Sequence, residues 1–120
     1  MSENVKIHVE NLTKKYGDLL VLDDISFDIQ KGEFVCVVGP TGCGKTTFLN
    51  LLSCLIEPTQ GQILIDGVPA DPKKHDIAFV FQEPSSFPWL TVKDNIGFGM
   101  KMKDWSREKR EKRENEILKL

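Results

Sequence analysis

No apolar run in the sequence approaches the roughly twenty consecutive residues that a membrane-crossing helix needs, so no segment spans a bilayer in that form. No secretory signal precedes the three cysteines, Cys36, Cys43 and Cys54, and their odd number and irregular spacing supply neither a disulfide framework nor a metal-ligand pattern. A compartment that keeps thiols reduced, the cytoplasm, is the expected one. Excess charge is missing too, since a net charge of −2 argues against a nucleic-acid surface as the main purpose of the chain. Repeats and low-complexity segments are absent. What remains, 120 residues that are 40% hydrophobic and 28% charged, is the composition of a soluble globular chain of at most one domain. A chain of this length can bury roughly two-thirds of its surface on folding.

Against that background stands Gly39-Pro40-Thr41-Gly42-Cys43-Gly44-Lys45-Thr46, which fills every fixed position of the pattern G-x-x-x-x-G-K-[ST]. Three glycines let the backbone curl so that consecutive N–H groups point at phosphate oxygens, an anion nest at a helix N-terminus. Lys45 adds a flexible point charge for the β and γ phosphates, Thr46 offers a hydroxyl to Mg²⁺, and Thr47 serves the helix or a further phosphate contact. Pro40, Thr41 and Cys43 occupy the variable positions of the loop. A thiol such as Cys43 at a helix N-terminus can be reactive, but alkylation sensitivity is the most expected of it.

Context separates this loop from an ordinary Gly-rich turn. The run Phe34-Val35-Cys36-Val37-Val38 predicts a parallel strand covered on both faces and leading into Gly39. Phe48, Leu51, Leu52 and Leu55 recur at i, i+3, i+4 and i+7, which predicts a core-facing helix beginning at the lysine. Upstream, Val5, Ile7 and Val9 alternate with polar residues; after a turn at Gly17-Asp18, Ile25, Phe27 and Ile29 alternate again, so two half-buried antiparallel strands are predicted. Pro58 to Gly61 breaks the chain, Gln62 to Ile65 reads as a short strand closed by Asp66-Gly67, and Ile77-Ala78-Phe79-Val80-Phe81 as a second core strand ending at Gln82. Thr91 with Asp94 predicts a helix start, and a further helix is expected from near Ser106 to Leu120. Its Glu108, Glu111, Glu114 and Glu116, interleaved with basic residues, predict a solvated face. His8 and His75 read as surface histidines.

An antiparallel pair ahead of the phosphate loop, Leu12-Thr13-Lys14-Lys15-Tyr16 at the end of its first strand, and a glutamine closing a core strand after the loop resemble the ATP-binding subunit of ABC transporters over essentially the whole chain. The resemblance implies an α/β P-loop NTPase of the ABC type. Its parts would be a parallel core sheet, an N-terminal antiparallel β subdomain and the start of a helical subdomain, divided at about residues 1–82 and 83–120. It implies that the aromatic ring of Tyr16 stacks on adenine, that Gly39 to Thr46 hold the phosphates of ATP, and that Gln82 reaches Mg²⁺ and the attacking water. A tyrosine packed on a strand and a polar residue that merely ends one are the alternatives for Tyr16 and Gln82. Stacking on an aromatic face tolerates different bases, so Tyr16 would anchor more than discriminate.

Phe81-Gln82-Glu83-Pro84 and Phe87-Pro88-Trp89-Leu90-Thr91-Val92-Lys93-Asp94-Asn95 are similar to the version found in the nitrate, sulfonate and taurine importer group. That similarity implies solute import at the inner face of the cell membrane, with a membrane-spanning permease subunit docking near Gln82 to Trp89. A second ATPase subunit would complete a dimer, and a solute-binding protein would belong to the complex. Packing inside the helical subdomain is the alternative for Phe87, Pro88 and Trp89. The family's signature sequence, second acidic motif, catalytic glutamate and switch histidine have no match up to Leu120, so the chain is expected to be the N-terminal part of a longer ATPase and inactive by itself. Two rivals stand beside this reading: another P-loop enzyme, for which no Asn-Lys-x-Asp base-reading motif is present, and a fragment that binds nucleotide or a partner without turnover.

Overall fold

The computed structural model describes residues 3–120 and divides into two compact units, one reaching to Phe79 and one running from Val80 to Leu120. In the first, β1 (Val5–Tyr16) and β2 (Leu19–Gln30) form an antiparallel hairpin, α1 (Lys45–Leu52) follows, and β3 (Gln60–Ile65) and β4 (Val68–Pro69) complete a sheet ordered β2-β1-β3-β4. The hairpin turns at Gly17-Asp18, where Gly17 takes φ +59 between the paired Tyr16 and Leu19, the positive φ that tight hairpin turns require.

Alternation alone does not account for β1. After Val5, Ile7 and Val9 a strict period of two would turn Asn11 inward, yet Leu12 is buried and Asn11 exposed. A register shift between Val9 and Leu12 makes the change, with Asn11 at φ +46. Gly61 of β3 comes so close to this bulge that a Cβ there would run into the backbone carbonyls of Glu10 and Asn11. The reward is the core: Val9, Leu12, Leu22, Phe48, Leu51 and Ile63 form one buried cluster. Each such side chain contributes about 1.5–3 kcal/mol by leaving water. At the edge of β1 and β3, Lys6 Nζ lies 2.7 Å from Asp66 Oδ2 and its hydrogen bond holds that carboxyl below its usual range. This small exposed contribution is present at neutral pH and is lost as pH falls through the lowered value.

Two predicted core strands are not strands. Phe34 to Val38 and Ile77 to Phe81 carry no regular structure, and Phe34, Val38 and Val80 are 91%, 87% and 95% exposed. Both runs have the composition of strands sandwiched between parallel neighbours, whereas the sheet here is antiparallel throughout and ends at β2 and the two-residue β4. Gln82 therefore does not close a strand. The helix stripe also ends early, because α1 stops at Leu52 and Leu55 is exposed. Cys54, expected in the helix, instead adopts φ +62 just beyond it; Cys54 N–H donates to Leu51 O and Leu55 N–H to Asn50 O, the paired bonds of a Schellman cap.

The second unit pairs α2 (Val92–Met102) with α3 (Arg107–Leu118). Thr91 and Ser106 cap them, their hydroxyls accepting from Asp94 N–H and Lys109 N–H at 3.1 and 3.3 Å, as the sequence predicts. Asp104, at φ +56, ends α2 through the same cap pattern that Cys54 makes. One expectation fails on α3: Glu114 is buried, not solvated. Its carboxylate covers Gly97 of α2, with Arg110 Nε at 3.6 Å and Lys93 Nζ at 3.9 Å. Arg107–Glu111 and Arg113–Glu116 do stay on the solvent side as predicted, and the Arg107 hydrogen bond holds the Glu111 carboxyl below its usual range.

Two substitutions probe these contacts. Gly97→Ala would drive a Cβ into the Glu114 carboxylate and should destabilise the unit by about 1–3 kcal/mol, whereas Gly99→Ala, with open space around it, should stabilise by about 0.5–1 kcal/mol. Urea unfolding followed by circular dichroism at 222 nm separates them by sign. In the first unit, Cys54→Gly removes the cost of a left-handed non-glycine residue and should raise stability by about 1 kcal/mol in the same measurement.

Candidate functional site

The loop from Gly39 to Gly44 is shaped by contacts that its glycines permit. Cys43 N–H donates to Pro40 O at 3.2 Å across a turn whose third residue, Gly42, has φ +80 and open space around it. A Cβ on Gly39 would stand 2.6 Å from Cys43 Sγ. Gly44, at φ +100, is the N-cap of α1 and lies on β2: a Cβ there would meet Leu22 Cδ2 at 2.9 Å and Val21 O at 3.2 Å. Because Leu22 belongs to the buried cluster, the loop's last residue is anchored directly to the core.

The helix start is built without anything that would repel an anion. No side chain caps it, and its first turn holds no acidic residue. Phe48 N–H donates to Gly44 O, so the N–H groups of Lys45, Thr46 and Thr47 precede the first intrahelical bond and carry the positive end of the helix dipole. Lys45 folds its ammonium back over the loop, donating to Gly39 O at 2.5 Å and Pro40 O at 2.9 Å, with Cys43 Sγ 3.8 Å away. Thr46 is exposed and Thr47 half-buried. Thr41 and Cys43 are exposed. The donor set is therefore amide N–H groups, hydroxyls and one ammonium, with no carboxylate, which fits a polyphosphate.

Tyr16 ends β1 and is half-exposed, with Lys14 Nζ 5.1 Å from its ring centroid. Lys14 pairs in register with Leu22, the residue beneath Gly44, so Tyr16 projects from the same end of the hairpin that carries the loop. Gln82 belongs to the second unit, exposed in an irregular stretch. His8 meets Asp28 at 2.5 Å on the sheet surface and His75 meets the backbone of Asp71, so neither enters the loop. Among the described residues no cluster of His, Cys, Asp or Glu could hold a metal ion unaided. A divalent cation here would have to share its ligands with a bound phosphate. A separate groove of about 460 Å³, lined by Leu51, Cys54, Ile63, Pro69 and Asp71, contains none of the loop residues. Burial, and then the charge of Asp71, push the Cys54 thiol above its usual range.

In the second unit the aromatic loop splits its roles. Phe87 is half-buried, its ring centroid 4.6 Å from that of Phe98, while Trp89 is 76% exposed. Packing thus claims Phe87 and leaves Pro88 and Trp89 outside. Sequence reasoning passed over Asn95, whose side chain bonds Phe87 N–H and O, Leu90 O and Thr91 O. An amide near the start of a helix that follows a proline-containing loop was the available signal.

A family model described as ABC transporter matches residues 22–119. The Fe(3+) ions import ATP-binding protein of Pasteurella multocida is 42% identical over an alignment that takes in 100% of this chain and 35% of that protein. For the spermidine/putrescine import ATP-binding protein of Chromobacterium violaceum the identity is 38%, over 93% of this chain and 32% of the relative. The chain thus spans about a third of the length of these curated relatives. Among solved structures, a dimeric bacterial ABC transporter cassette superimposes with a TM-score of 0.82 at 36% identity, covering 94% of this chain and 56% of the cassette. A cassette in a post-hydrolysis state bound to ADP and Pi gives 0.81 at 35% identity.

Gly44 offers the sharpest test of the loop's anchoring. Gly44→Ala combines a left-handed φ with a clash against Leu22 and the Val21 carbonyl, so it should cost about 2–4 kcal/mol, with strain and overpacking acting together. Gly42→Ala carries the strain alone and should cost about 1–2 kcal/mol. Thermal unfolding of the two variants should rank them in that order.

Proposed function

The chain belongs to the ABC transporter ATP-binding family, and from that premise we propose that Gly39 to Thr46 bind ATP with Mg²⁺. In the full-length protein this would make it the motor subunit that couples ATP hydrolysis to solute import. The observation that carries the reading is the uncapped, carboxylate-free start of α1 with the Lys45 ammonium held over the loop. Bound ATP and Mg²⁺ supply the phosphoanhydride to be cleaved and the charge that offsets its oxygens.

Each residue then has a definite task. The Lys45 ammonium leaves two neutral carbonyls for phosphate oxygens, which are stronger acceptors because they are charged. The N–H groups of the first turn bind the same anion without moving, since Gly44 is fixed on β2. Thr46 would present its hydroxyl to the metal and Tyr16 its ring to the base, and Gln82, as the resemblance implies, would reach Mg²⁺ and the attacking water. Turnover is proposed for the full-length protein, since this chain spans about a third of the length of the relatives it matches.

The partners proposed are a membrane-spanning subunit docking near Gln82 to Trp89, a second ATPase subunit, and a solute-binding protein, with the motor on the inner face of the membrane. Import is common to the names of the two relatives above and to the importer group that the segment Phe87 to Asn95 resembles. Among the described residues no helix is long and apolar enough to cross a membrane.

Titration with a fluorescent ATP analogue tests the assignment. Lys45→Ala removes a charge-assisted contact of about 1.5–3 kcal/mol and should raise Kd by roughly 10- to 150-fold; equal affinity would overturn the phosphate-loop reading. Thr46→Ala should weaken binding with Mg²⁺ present and change little in EDTA.

A further inference from the structure

We propose that Lys14 is a positioning residue for the nucleotide base: its ammonium holds the Tyr16 ring by one face, so that the ring stands ready to take the base on its open surface. The proposal rests on the nucleotide reading given above, with Tyr16 as the platform for the base, and it goes beyond that reading by naming the residue that sets the ring.

The backbone under Tyr16 is fixed first. Tyr16 and Leu19 are the last pair of the hairpin, closed by Gly17 at φ +59. From the other side, the chain that follows α1 is stitched to the same end of β1: Thr59 N–H donates to Thr13 O and Lys15 N–H to Thr59 Oγ1, each at 2.9 Å. Glu57 lies just before this stitch, and its backbone carbonyl accepts from Lys14 Nζ at 2.7 Å. The ammonium is thus held by a carbonyl whose own chain is pinned to the strand. From there it lies 5.1 Å from the centroid of the Tyr16 ring, within the roughly 6 Å at which a cation and an aromatic face attract each other. Lys14 is half-buried while Tyr16 stays 48% exposed, so the pairing leaves ring surface open.

A ring at the end of a hairpin, left to itself, samples its rotamers and would have to be ordered when a base arrives. A ring already held keeps that cost out of binding. The two lysines then divide the nucleotide between them. Lys45 is bonded to the loop carbonyls of Gly39 and Pro40 and serves the phosphates, whereas Lys14 is bonded to Glu57 O and acts on the base through Tyr16. Loss of the Lys14 charge should therefore weaken ligands that carry a base and spare those that do not, a split that a general weakening of the fold does not produce.

The test compares ATP with inorganic tripolyphosphate, both with Mg²⁺, by isothermal titration of the full-length ATPase. Lys14→Met keeps an unbranched stem and removes the charge; it should raise the Kd for ATP about three- to tenfold and leave that for tripolyphosphate within about 1.5-fold. Tyr16→Ala should show the same split, with a loss on ATP of roughly tenfold. Lys14→Arg, which keeps a cation, should restore most of the ATP affinity. In protein labelled with 3-fluorotyrosine, the Tyr16 ¹⁹F resonance, identified by its loss in Tyr16→Phe, should move toward the position of the free amino acid in nucleotide-free Lys14→Met. Should Lys14→Met fail to fold, Lys14→Gln, which keeps a donor for Glu57 O and drops only the charge, must give the same split. Parallel losses for ATP and tripolyphosphate, or an unmoved resonance with unchanged ATP affinity, would overturn the positioning role. Undiminished ATP affinity in Tyr16→Ala would overturn the ring as the platform for the base and the role of Lys14 with it, while tripolyphosphate binding left the loop reading standing. Failure of the wild type to bind either ligand would overturn the nucleotide reading and everything built on it.

Discussion

The absence of a side chain at Gly44 is the constraint on which the first unit depends. Only a glycine lets the first turn of α1 lie directly on Val21 and Leu22 at φ +100. That contact ties the start of the helix to Leu22, and through Leu22 to the cluster of Val9, Leu12, Phe48, Leu51 and Ile63. The loop thereby takes its position from the core as well as from its own bonds, among them the turn bond from Cys43 N–H to Pro40 O. A phosphate site needs this kind of anchoring, because its donors are backbone groups that cannot adjust by changing rotamer.

The Lys45 contacts show how such a site stays ordered before any anion arrives. An ammonium at the positive end of a helix dipole is unfavourably placed in isolation. Here two loop carbonyls compensate, and in doing so they draw the loop closed around the lysine. Carbonyls are neutral acceptors, so on the proposed reading phosphate oxygens would displace them with a gain in interaction strength. On the proposed reading the same lysine would serve the folded loop and the ligand in turn.

What the sequence made legible was local chemistry. Gly17-Asp18 demanded a hairpin, Thr91 and Ser106 demanded helix starts, and Gly39 to Gly44 demanded a loop running into a helix at Lys45, because each requirement is met within a few residues. The failures share a different origin. Asn11 bulges because Gly61, far along the chain, lets two backbones touch. Glu114 is buried because the surface opposite it is Gly97, a residue without bulk. Cys54 ends α1 in a conformation that usually selects glycine, so the helix stripe read through to Leu55 overshot. Asn95 escaped notice because its partners are backbone groups, which leave no trace in side-chain composition.

The two apolar runs make the limit of pattern reading explicit. Val5 to Val9 and Phe34 to Val38 are both rich in β-branched and aromatic residues, yet one is a strand and the other is exposed. Their difference lies in what can pair with them. The first run finds antiparallel neighbours on both sides, in β2, reached by the turn at Gly17-Asp18, and in β3, reached only after α1. The second has a composition suited to parallel neighbours, which in an α/β fold arrive only through longer crossovers. An apolar run states a requirement for burial, and topology decides whether it is met. In the second unit the same logic works in reverse: Glu114 has the composition of a surface residue and is buried, because Gly97, Arg110 and Lys93 together supply a space of its size and charges of opposite sign.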